Sequence, residues 1–157
     1  MTQSSAAFTS TSPDETAQLA IRLGAGLIAG DTLLLEGEIG AGKSHFARAL
    51  IQSRLAEAED VPSPTFTIVQ AYDLPDCELW HADLYRLGDP DQIVELGLLD
   101  AFQTAICLVE WPDRLEDLAP PDALTMRLES PDTSDRRNIT FTWTNPRWSS
   151  RIAQALA

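Results

Sequence analysis

The sequence of 157 residues is long enough for one domain with its own hydrophobic core, and no internal repeat or low-complexity linker divides it. Eleven Lys and Arg residues against twenty-four Asp and Glu residues give a net charge of −13, which opposes tight unaided binding to a nucleic-acid backbone. We therefore expect a single domain over residues 1–157 whose acidic surface either docks on a basic partner or only keeps the protein soluble.

The chain begins with MTQSSAAFTSTS, which has neither the basic start nor the apolar centre of a signal peptide. No apolar run approaches the roughly 20 residues of a membrane span. The two cysteines, Cys77 and Cys107, lack the paired spacing of a metal site. These features predict a cytoplasmic protein with no membrane partner and with reduced, structural thiols.

The first predicted helix begins with Ser12-Pro13-Asp14-Glu15, a capping box with proline at the first helical position. We expect this helix to run towards Gly30. Its apolar positions are Ala17, Ala20, Ile21, Leu27 and Ile28.

A phosphate-binding loop (P-loop) signature follows a buried strand, Thr32 to Glu36 (TLLLE). The pattern Gly37-x-x-x-x-Gly42-Lys43-Ser44 leads into a helix with Phe46, Ala47, Leu50, Ile51 and Leu55 at helical spacing. Glycines let the loop turn its N–H groups towards an anion, and the helix N-terminus adds partial positive charge. The predicted nucleotide-binding loop therefore comprises Gly37, Glu38, Ile39, Gly40, Ala41, Gly42, Lys43 and Ser44, with Lys43 on the outer phosphates and the Ser44 hydroxyl on Mg2+.

The remaining segments predict further strands and helices. We expect an extended segment, PSPTFTIVQAYDL, that forms a hairpin with CELWHADLY. We also expect a second strand pair, formed by ALTMRLES and RNITFTWT. Asp89 caps a short helix that Gly97 ends, AICLVEW is a buried strand, and Asn145-Pro146 caps a last helix with Trp148, Ile152 and Leu156 on one face. Together these elements predict an α/β, three-layer P-loop nucleotide-binding fold with a mixed sheet, whose strand order the pattern does not give.

Two carboxylates end apolar strands and are candidates for the acids that ATP hydrolysis requires. Glu110 closes AICLVE, where a Mg2+-facing acid is expected at the carboxyl edge of the sheet, and Asp83 follows LWHA on an adjacent edge. At this point either residue is equally compatible with an ordinary surface acid.

Other polar and aromatic residues have two interpretations each. Thr65 and Thr67 lie where nucleotide switches place a hydroxyl on Mg2+, but both also favour strands. Trp111 either covers the nucleotide pocket or packs in the core. His45 and His81 have no partner spacing, which favours structural or exposed roles.

Three other functions can be weighed on sequence. A GTPase is excluded by the lack of an Asn-Lys-x-Asp motif. A small-molecule kinase normally has an arginine-rich lid, whereas the arginines here are scattered. A binding subunit in which ATP ordering matters more than turnover remains an alternative, and it would tolerate loss of Asp83 or Glu110.

Four blocks, in this order and spacing, resemble the TsaE (formerly YjeE) family, the ATPase component that supports threonylcarbamoyladenosine formation in bacterial tRNA. These blocks are GEIGAGKSHF, SPTFTIV, HADLYRLGDPDQIVELGL and ICLVEWPDRL. The resemblance runs from about Pro13 to Leu115 and continues more loosely to Arg137. Only the first block is widely shared among P-loop proteins.

The resemblance implies that Lys43 and Ser44 serve ATP and Mg2+, and that Thr65 belongs to a switch-like loop. It assigns Asp83 and Glu110 as active-site acids together with Lys43, with Glu110 linked to Mg2+, Asp83 orienting water and Trp111 in the same motif. The family pocket also uses an N-terminal residue and a late arginine, which here fall at Glu15 and Arg136. Ser44 replaces the threonine that is more usual in relatives and retains its hydroxyl.

The same resemblance implies the partner. It is a heterodimer of the TsaB and TsaD type, so that tRNA is reached only indirectly, through that heterodimer. The resemblance also predicts an ATPase that is weak alone and activated by this partner.

Overall fold

Seven strands form one mixed sheet in the computed structural model, which describes residues 2–157. Across the sheet the strand order is β1-β7-β6-β2-β5-β4-β3. The strands are β1 (Ser4–Ser10), β2 (Thr32–Glu36), β3 (Val69–Asp73), β4 (Glu78–Asp83), β5 (Ile106–Glu110), β6 (Leu124–Glu129) and β7 (Arg137–Trp143).

Five α-helices and one 3-10 helix cover the sheet in the part of the chain that the structure describes. The α-helices are α1 (Pro13–Gly24), α2 (Lys43–Arg54), α3 (Pro90–Glu95), α4 (Leu98–Thr104) and α5 (Arg147–Leu156), and the 3-10 helix is Pro112–Leu118. Within residues 2–157, no helix combines the length and the apolar character that crossing a membrane requires.

The centre of the sheet is parallel and its margins are antiparallel. Strand β2 pairs in parallel with β5 on one side and β6 on the other, and β4 pairs in parallel with β5. Strands β1, β7 and β3 join by antiparallel pairing. Because parallel strands end at the same edge, the loop after β2 lies beside the last residues of β4 and β5.

The hydrophobic core has two layers, one on each face of the sheet. Alternation along β2 sends Leu33 and Leu35 into the layer that also contains α1, α2 and α5, and Leu34 into the layer that contains α3 and α4. Strand β5 divides in the same way, with Leu108 on the first face and Val109 on the second. This arrangement confirms the predicted three-layer α/β fold with a mixed sheet.

Helix α1 is shorter than the sequence pattern predicts. Ser12 caps it as expected, because its hydroxyl accepts the Glu15 N–H at 3.1 Å. The helix ends at Gly24, however, so the extension towards Gly30 was wrong. Of the residues predicted on its apolar face, Ile21 is exposed and Ile28 lies exposed beyond its end. The buried residues of the helix are Thr16, Leu19, Ala20, Leu23 and Gly24.

Three elements have no counterpart in the sequence predictions. Strand β1 consists of small and polar residues around Phe8, and its backbone pairing with β7 rather than an apolar pattern defines it. Helix α4 follows directly where Gly97, with φ of 82°, ends α3. The 3-10 helix after Pro112 was also missed.

The predicted hairpin forms between β3 and β4, but its first strand begins only at Val69. The segment Pro64–Thr67 is a run of turns instead of the extended chain that its prolines suggested. Both thiols are free, as predicted, and burial raises the pKa of Cys107 to about 12.

Helix α5 forms ion pairs with Asp31, in the segment that precedes β2. Trp148 and Ile152 are buried as predicted, whereas Ala155 rather than Leu156 completes the buried face. The carboxylate of Asp31, only 2% exposed, accepts from Arg151 Nη1 at 2.6 Å and lies 3.3 Å from Arg147 Nη2. Asp31 also accepts the N–H of Ile28 at 2.8 Å, so one buried acid orders the chain just before β2.

We predict that Asp31→Ala lowers the free energy of unfolding by about 3 kcal/mol, because it leaves two partly buried arginines without their acid. Urea unfolding measures the loss. Asp76→Ala is the matched control, since Asp76 is 64% exposed and lies 3.7 Å from Arg54; its expected cost is under about 1 kcal/mol. Equal losses in the two variants would contradict the role given to Asp31.

Candidate functional site

The loop Gly37–Ser44 joins β2 to α2 in the backbone conformation that an anion-binding loop needs. Gly37, Gly40 and Gly42 have φ of 151°, 83° and 106°. A Cβ on Gly37 would lie 2.6 Å from the carbonyl oxygen of Leu128 on β6, so the loop can pass that strand only as glycine.

The first turn of α2 leaves its N–H groups for a ligand. Gly42 precedes the helix without any side-chain capping bond, and no acidic residue lies in the first turn. Uncapped N–H groups and the helix dipole attract anions such as phosphate. Of the other predicted loop residues, Ile39 is 75% exposed at the cleft and Ala41 is buried.

Lys43 lies almost buried, with 5% exposure, across the mouth of this loop. Its ammonium donates to the carbonyl oxygen of Gly37 and, at 3.1 Å, to that of Glu38. The Nζ atom also lies 4.0 Å from the centroid of the Trp111 ring, in cation–π contact. Burial lowers the pKa of the Lys43 ammonium, and the negative charges of Glu110, Asp83 and Glu38 oppose that shift.

The carboxylate of Glu110 is the most strongly bonded group at the strand ends. It is 2% exposed, and the Ser44 hydroxyl lies 3.0 Å from each of its oxygens. His81 Nε2 lies 2.7 Å from Glu110 Oε2. The two residues predicted as Mg2+ ligands, Ser44 and Glu110, are therefore in direct contact.

Asp83 lies beside Glu110 because the two residues are register partners in the parallel β4–β5 pair. Asp83 is 7% exposed, and its Oδ1 accepts the N–H of Tyr85 at 3.1 Å. Burial raises the pKa of the Asp83 carboxyl; the Tyr85 N–H opposes this shift and the charge of Glu110 adds to it. The alternative of a surface acid is thus wrong for both strand-end residues.

A row of hydroxyls connects the loop Gly37–Ser44 to the turn that contains Thr65. Ser44 Oγ lies 3.4 Å from Ser63 Oγ, which lies 2.9 Å from Thr65 Oγ1. Thr65 lines the cleft, whereas the Thr67 hydroxyl accepts from Gln70 at 2.8 Å and belongs to the base of the hairpin. Sequence reasoning named Thr65 and overlooked Ser63, although both stand in the same SPT stretch.

Trp111 both lines the cleft and packs against the core. It follows Glu110 with φ of 59°, a left-handed conformation that is unusual for a bulky residue. Its ring lines the cleft, packs 4.9 Å from the Tyr85 ring and contacts the core layer of α3 and α4.

These residues surround a cleft of about 360 Å3 at the carboxyl edge of the sheet. Its lining is Ile39, Gly40, Gly42, Lys43, Ser44, His45, Thr65, Asp83, Tyr85, Glu110 and Trp111. A second cavity of about 260 Å3 lies on the other side of the loop and is lined by Pro13, Thr16, Gly40, Ala41, Gly42, His45, Asp135 and Arg137. The two cavities share loop residues, so together they offer room for a phosphate chain and the groups attached to it.

The two outlying candidates do not line either cavity. Arg136 is exposed, and its hydrogen bonds are made by its backbone, the N–H to the Ser134 hydroxyl and the carbonyl oxygen from Arg137. The next residue, Arg137, donates from Nε to the Ala41 carbonyl oxygen at 2.9 Å. The carboxylate of Glu15 accepts from the N–H and hydroxyl of Thr11. Nucleotide contacts by Glu15 and Arg136 stay predictions, and Arg137 is the arginine that touches the loop.

The donor atoms at this edge suit Mg2+ better than a metal held by protein alone. Within residues 2–157, no group of three or more His, Cys, Asp and Glu side chains is arranged to bind a metal. Mg2+ at nucleotide sites takes one or two protein oxygens and completes its shell with phosphate and water oxygens. The hydroxyl of Ser44 beside the Glu110 carboxylate fits that requirement.

Comparison with known proteins gives one family. The family described as "Threonylcarbamoyl adenosine biosynthesis protein TsaE" matches residues 10–139. Proteins with the name "tRNA threonylcarbamoyladenosine biosynthesis protein TsaE" are similar to this chain. The protein from Rickettsia conorii is 37% identical over 80% of this chain and 71% of its own length. The protein from Bacillus subtilis is 37% identical over 83% of this chain and 80% of its own length.

A solved structure is also similar. The crystal structure of YdiB from Bacillus subtilis superposes with a TM-score of 0.81 and 29% sequence identity, covering 99% of this chain and 96% of that one. The similarity therefore extends to the whole α/β architecture as well as to the sequence.

The raised pKa of Asp83 predicts a cost to stability at neutral pH. A carboxyl whose pKa is higher in the folded state stabilises that state below its unfolded pKa, and the contribution is lost as pH rises through the folded pKa. We therefore expect Asp83→Asn, which can keep the Tyr85 bond, to raise the free energy of unfolding near pH 8 by about 1 kcal/mol. The gain should shrink towards about pH 5.

Urea unfolding at the two pH values measures this effect. Asp73→Asn is the control, because it removes the same charge from an exposed position at the end of β3. A loss of stability in Asp83→Asn, or equal gains in both variants, would contradict the assignment of a buried, destabilising acid.

Proposed function

The chain belongs to the TsaE family, and from that premise we propose that it binds ATP with Mg2+ and hydrolyses it in support of threonylcarbamoyladenosine modification of tRNA. The observation that carries the proposal is the contact of the Ser44 hydroxyl, 3.0 Å from both oxygens of Glu110, at the uncapped start of α2. A loop that only turned the chain would need neither a buried carboxylate nor free helix N–H groups at that point.

The P-loop residues divide the work of holding the triphosphate. Backbone N–H groups around Gly40 and Gly42 would surround the inner phosphates, and Lys43 would turn from the carbonyl oxygens of Gly37 and Glu38 towards the outer ones. Ser44 and Glu110 would hold Mg2+, directly or through its water, and the ion supplies charge neutralisation at the terminal phosphates.

Asp83 is the residue that we assign to the attacking water. It lies beside Glu110 at the carboxyl edge and lines the same cleft as Lys43. Its ionised carboxylate can accept a hydrogen bond from water and so fix the direction of attack on the terminal phosphate. This role acts on the transition state more than on ATP binding.

Partner control is supported by the surface around the cleft. Two large apolar side chains that line the cleft are exposed, Ile39 at 75% and Tyr85 at 45%. Phe66, 78% exposed, is next in sequence to Thr65, which also lines the cleft. Phe66 belongs to the Thr65 turn, which enters β3 through Ile68 at φ of 71°, a strained conformation for a β-branched residue. A partner that covered Phe66 would act directly on the turn that carries Thr65.

We propose that this partner is a heterodimer of the TsaB and TsaD type, with TsaD carrying the transfer chemistry on adenosine. The net charge of −13 disfavours direct contact with tRNA, so tRNA is reached through the heterodimer. ATP hydrolysis would then reset the complex between modification cycles.

Steady-state phosphate release tests this proposal, measured with Mg2+ in the presence and absence of the heterodimer. We expect slow release alone and a rise of at least about tenfold with the heterodimer, equal to about 1.4 kcal/mol of barrier. Phe66→Ala should keep the slow rate and lose most of the stimulation, because it removes an exposed side chain outside the phosphate loop.

Lys43→Ala is the control for the site and should abolish ATP binding while the protein stays folded. Unchanged ATP affinity and phosphate release in Lys43→Ala would refute the pocket. Tight ATP binding without release under any condition would instead favour a nucleotide-responsive binding subunit.

A further inference from the structure

His81 lies directly below the Glu110 carboxylate. It precedes Asp83 by two positions on β4, so its side chain points to the same face of the sheet as Asp83 and as Leu79. In the parallel register His81 is opposite Leu108, while Asp83 is opposite Glu110. The imidazole is 1% exposed, which removes it from solvent and from any ligand in the cleft.

The surroundings of the two ring nitrogens indicate which one carries the proton that bonds Glu110. Nε2 lies 2.7 Å from Glu110 Oε2, and Nδ1 is buried without a hydrogen-bond partner in residues 2–157. A proton on Nδ1 would therefore be buried with no acceptor, which is costly. The arrangement fits a proton on Nε2 that His81 donates to Glu110.

This bond decides how Glu110 faces Ser44. The single hydroxyl proton of Ser44 is shared between both carboxylate oxygens at 3.0 Å, so Ser44 alone does not fix the rotation of the carboxylate. His81 bonds only Oε2 and does fix it. The carboxylate in turn fixes the direction of the Ser44 O–H bond, and hence of the lone pairs that Ser44 would present to a cation.

We propose that His81 is a positioning residue that aims Glu110, and through it Ser44, at the Mg2+ of the bound nucleotide. This inference rests on the proposed Mg2+–ATP site. It predicts a specific effect: loss of the His81 donor weakens the dependence of ATP binding on Mg2+ and leaves Mg2+-free binding nearly unchanged.

The first test uses the nucleotide-free protein. Nitrogen-detected NMR of the histidine rings should give a slowly exchanging Nε2–H signal for His81 that shifts in Glu110→Gln. A ring protonated on Nδ1 instead, or a signal that Glu110→Gln leaves unmoved, would overturn the proposal.

The second test is the ratio of the ATP dissociation constant in EDTA to that in saturating Mg2+. In His81→Leu we expect this ratio to fall about tenfold, as is typical when a residue that orients a ligand of a metal is lost. The dissociation constant in EDTA should stay within about twofold. His81→Gln, which returns an N–H donor near the position of Nε2, should keep the parent ratio, whereas the shorter His81→Asn should lose it.

Leu79→Val is the control for a purely structural effect, because Leu79 is buried on the same face of β4 and does not bond Glu110. The proposal would be overturned if His81→Leu and His81→Asn both kept the ratio of the parent protein. It would also be overturned if the ratio fell as far in His81→Gln or Leu79→Val as in His81→Leu. If His81→Leu does not fold, the ratios of His81→Gln and His81→Asn are compared instead, and equal ratios in these two variants would overturn the proposal. A parent protein whose ATP binding ignores Mg2+ overturns the proposed function itself, and this role with it.

Discussion

The buried carboxylate of Glu110 is the group on which the site depends. Burying a charge is costly unless other groups bond it, and here Ser44 from the P-loop helix and His81 from the neighbouring strand both do so. The parallel pairing of β2, β5 and β4 makes these bonds possible, because it ends three strands at one edge. The sheet thus fixes at one point residues that are distant in the chain.

The same edge concentrates features that carry a cost in free energy. Asp83 is buried next to a second acid, Lys43 is buried among carbonyl oxygens, and Trp111 adopts a left-handed conformation. Each costs free energy that the two apolar layers and the Asp31 ion pairs must offset. Such local costs are expected where a site is organised in advance for a charged ligand.

Features that a short sequence motif defines were predictable, whereas contacts that depend on the pairing register of the strands were not. The glycine-rich loop, the positions of Asp83 and Glu110 at strand ends and the α/β class follow from glycine spacing and apolar runs in the sequence. His81 needed the pairing of β4 with β5 to reveal its partner, and Arg137 could not be separated from Arg136 without knowing which side of β7 faces the loop. Strand β1 was not predicted because its backbone pairing with β7, and not an apolar pattern, defines it.

The most direct test of the account is a crystal structure of the protein with Mg2+ and a non-hydrolysable ATP analogue. We expect the phosphates against the N–H groups of the P-loop, Mg2+ about 2.1 Å from the Ser44 hydroxyl oxygen, and Glu110 bonded to His81 and to Ser44 or a water on the metal. A nucleotide bound elsewhere on the fold, or a metal ion remote from Ser44 and Glu110, would contradict the account.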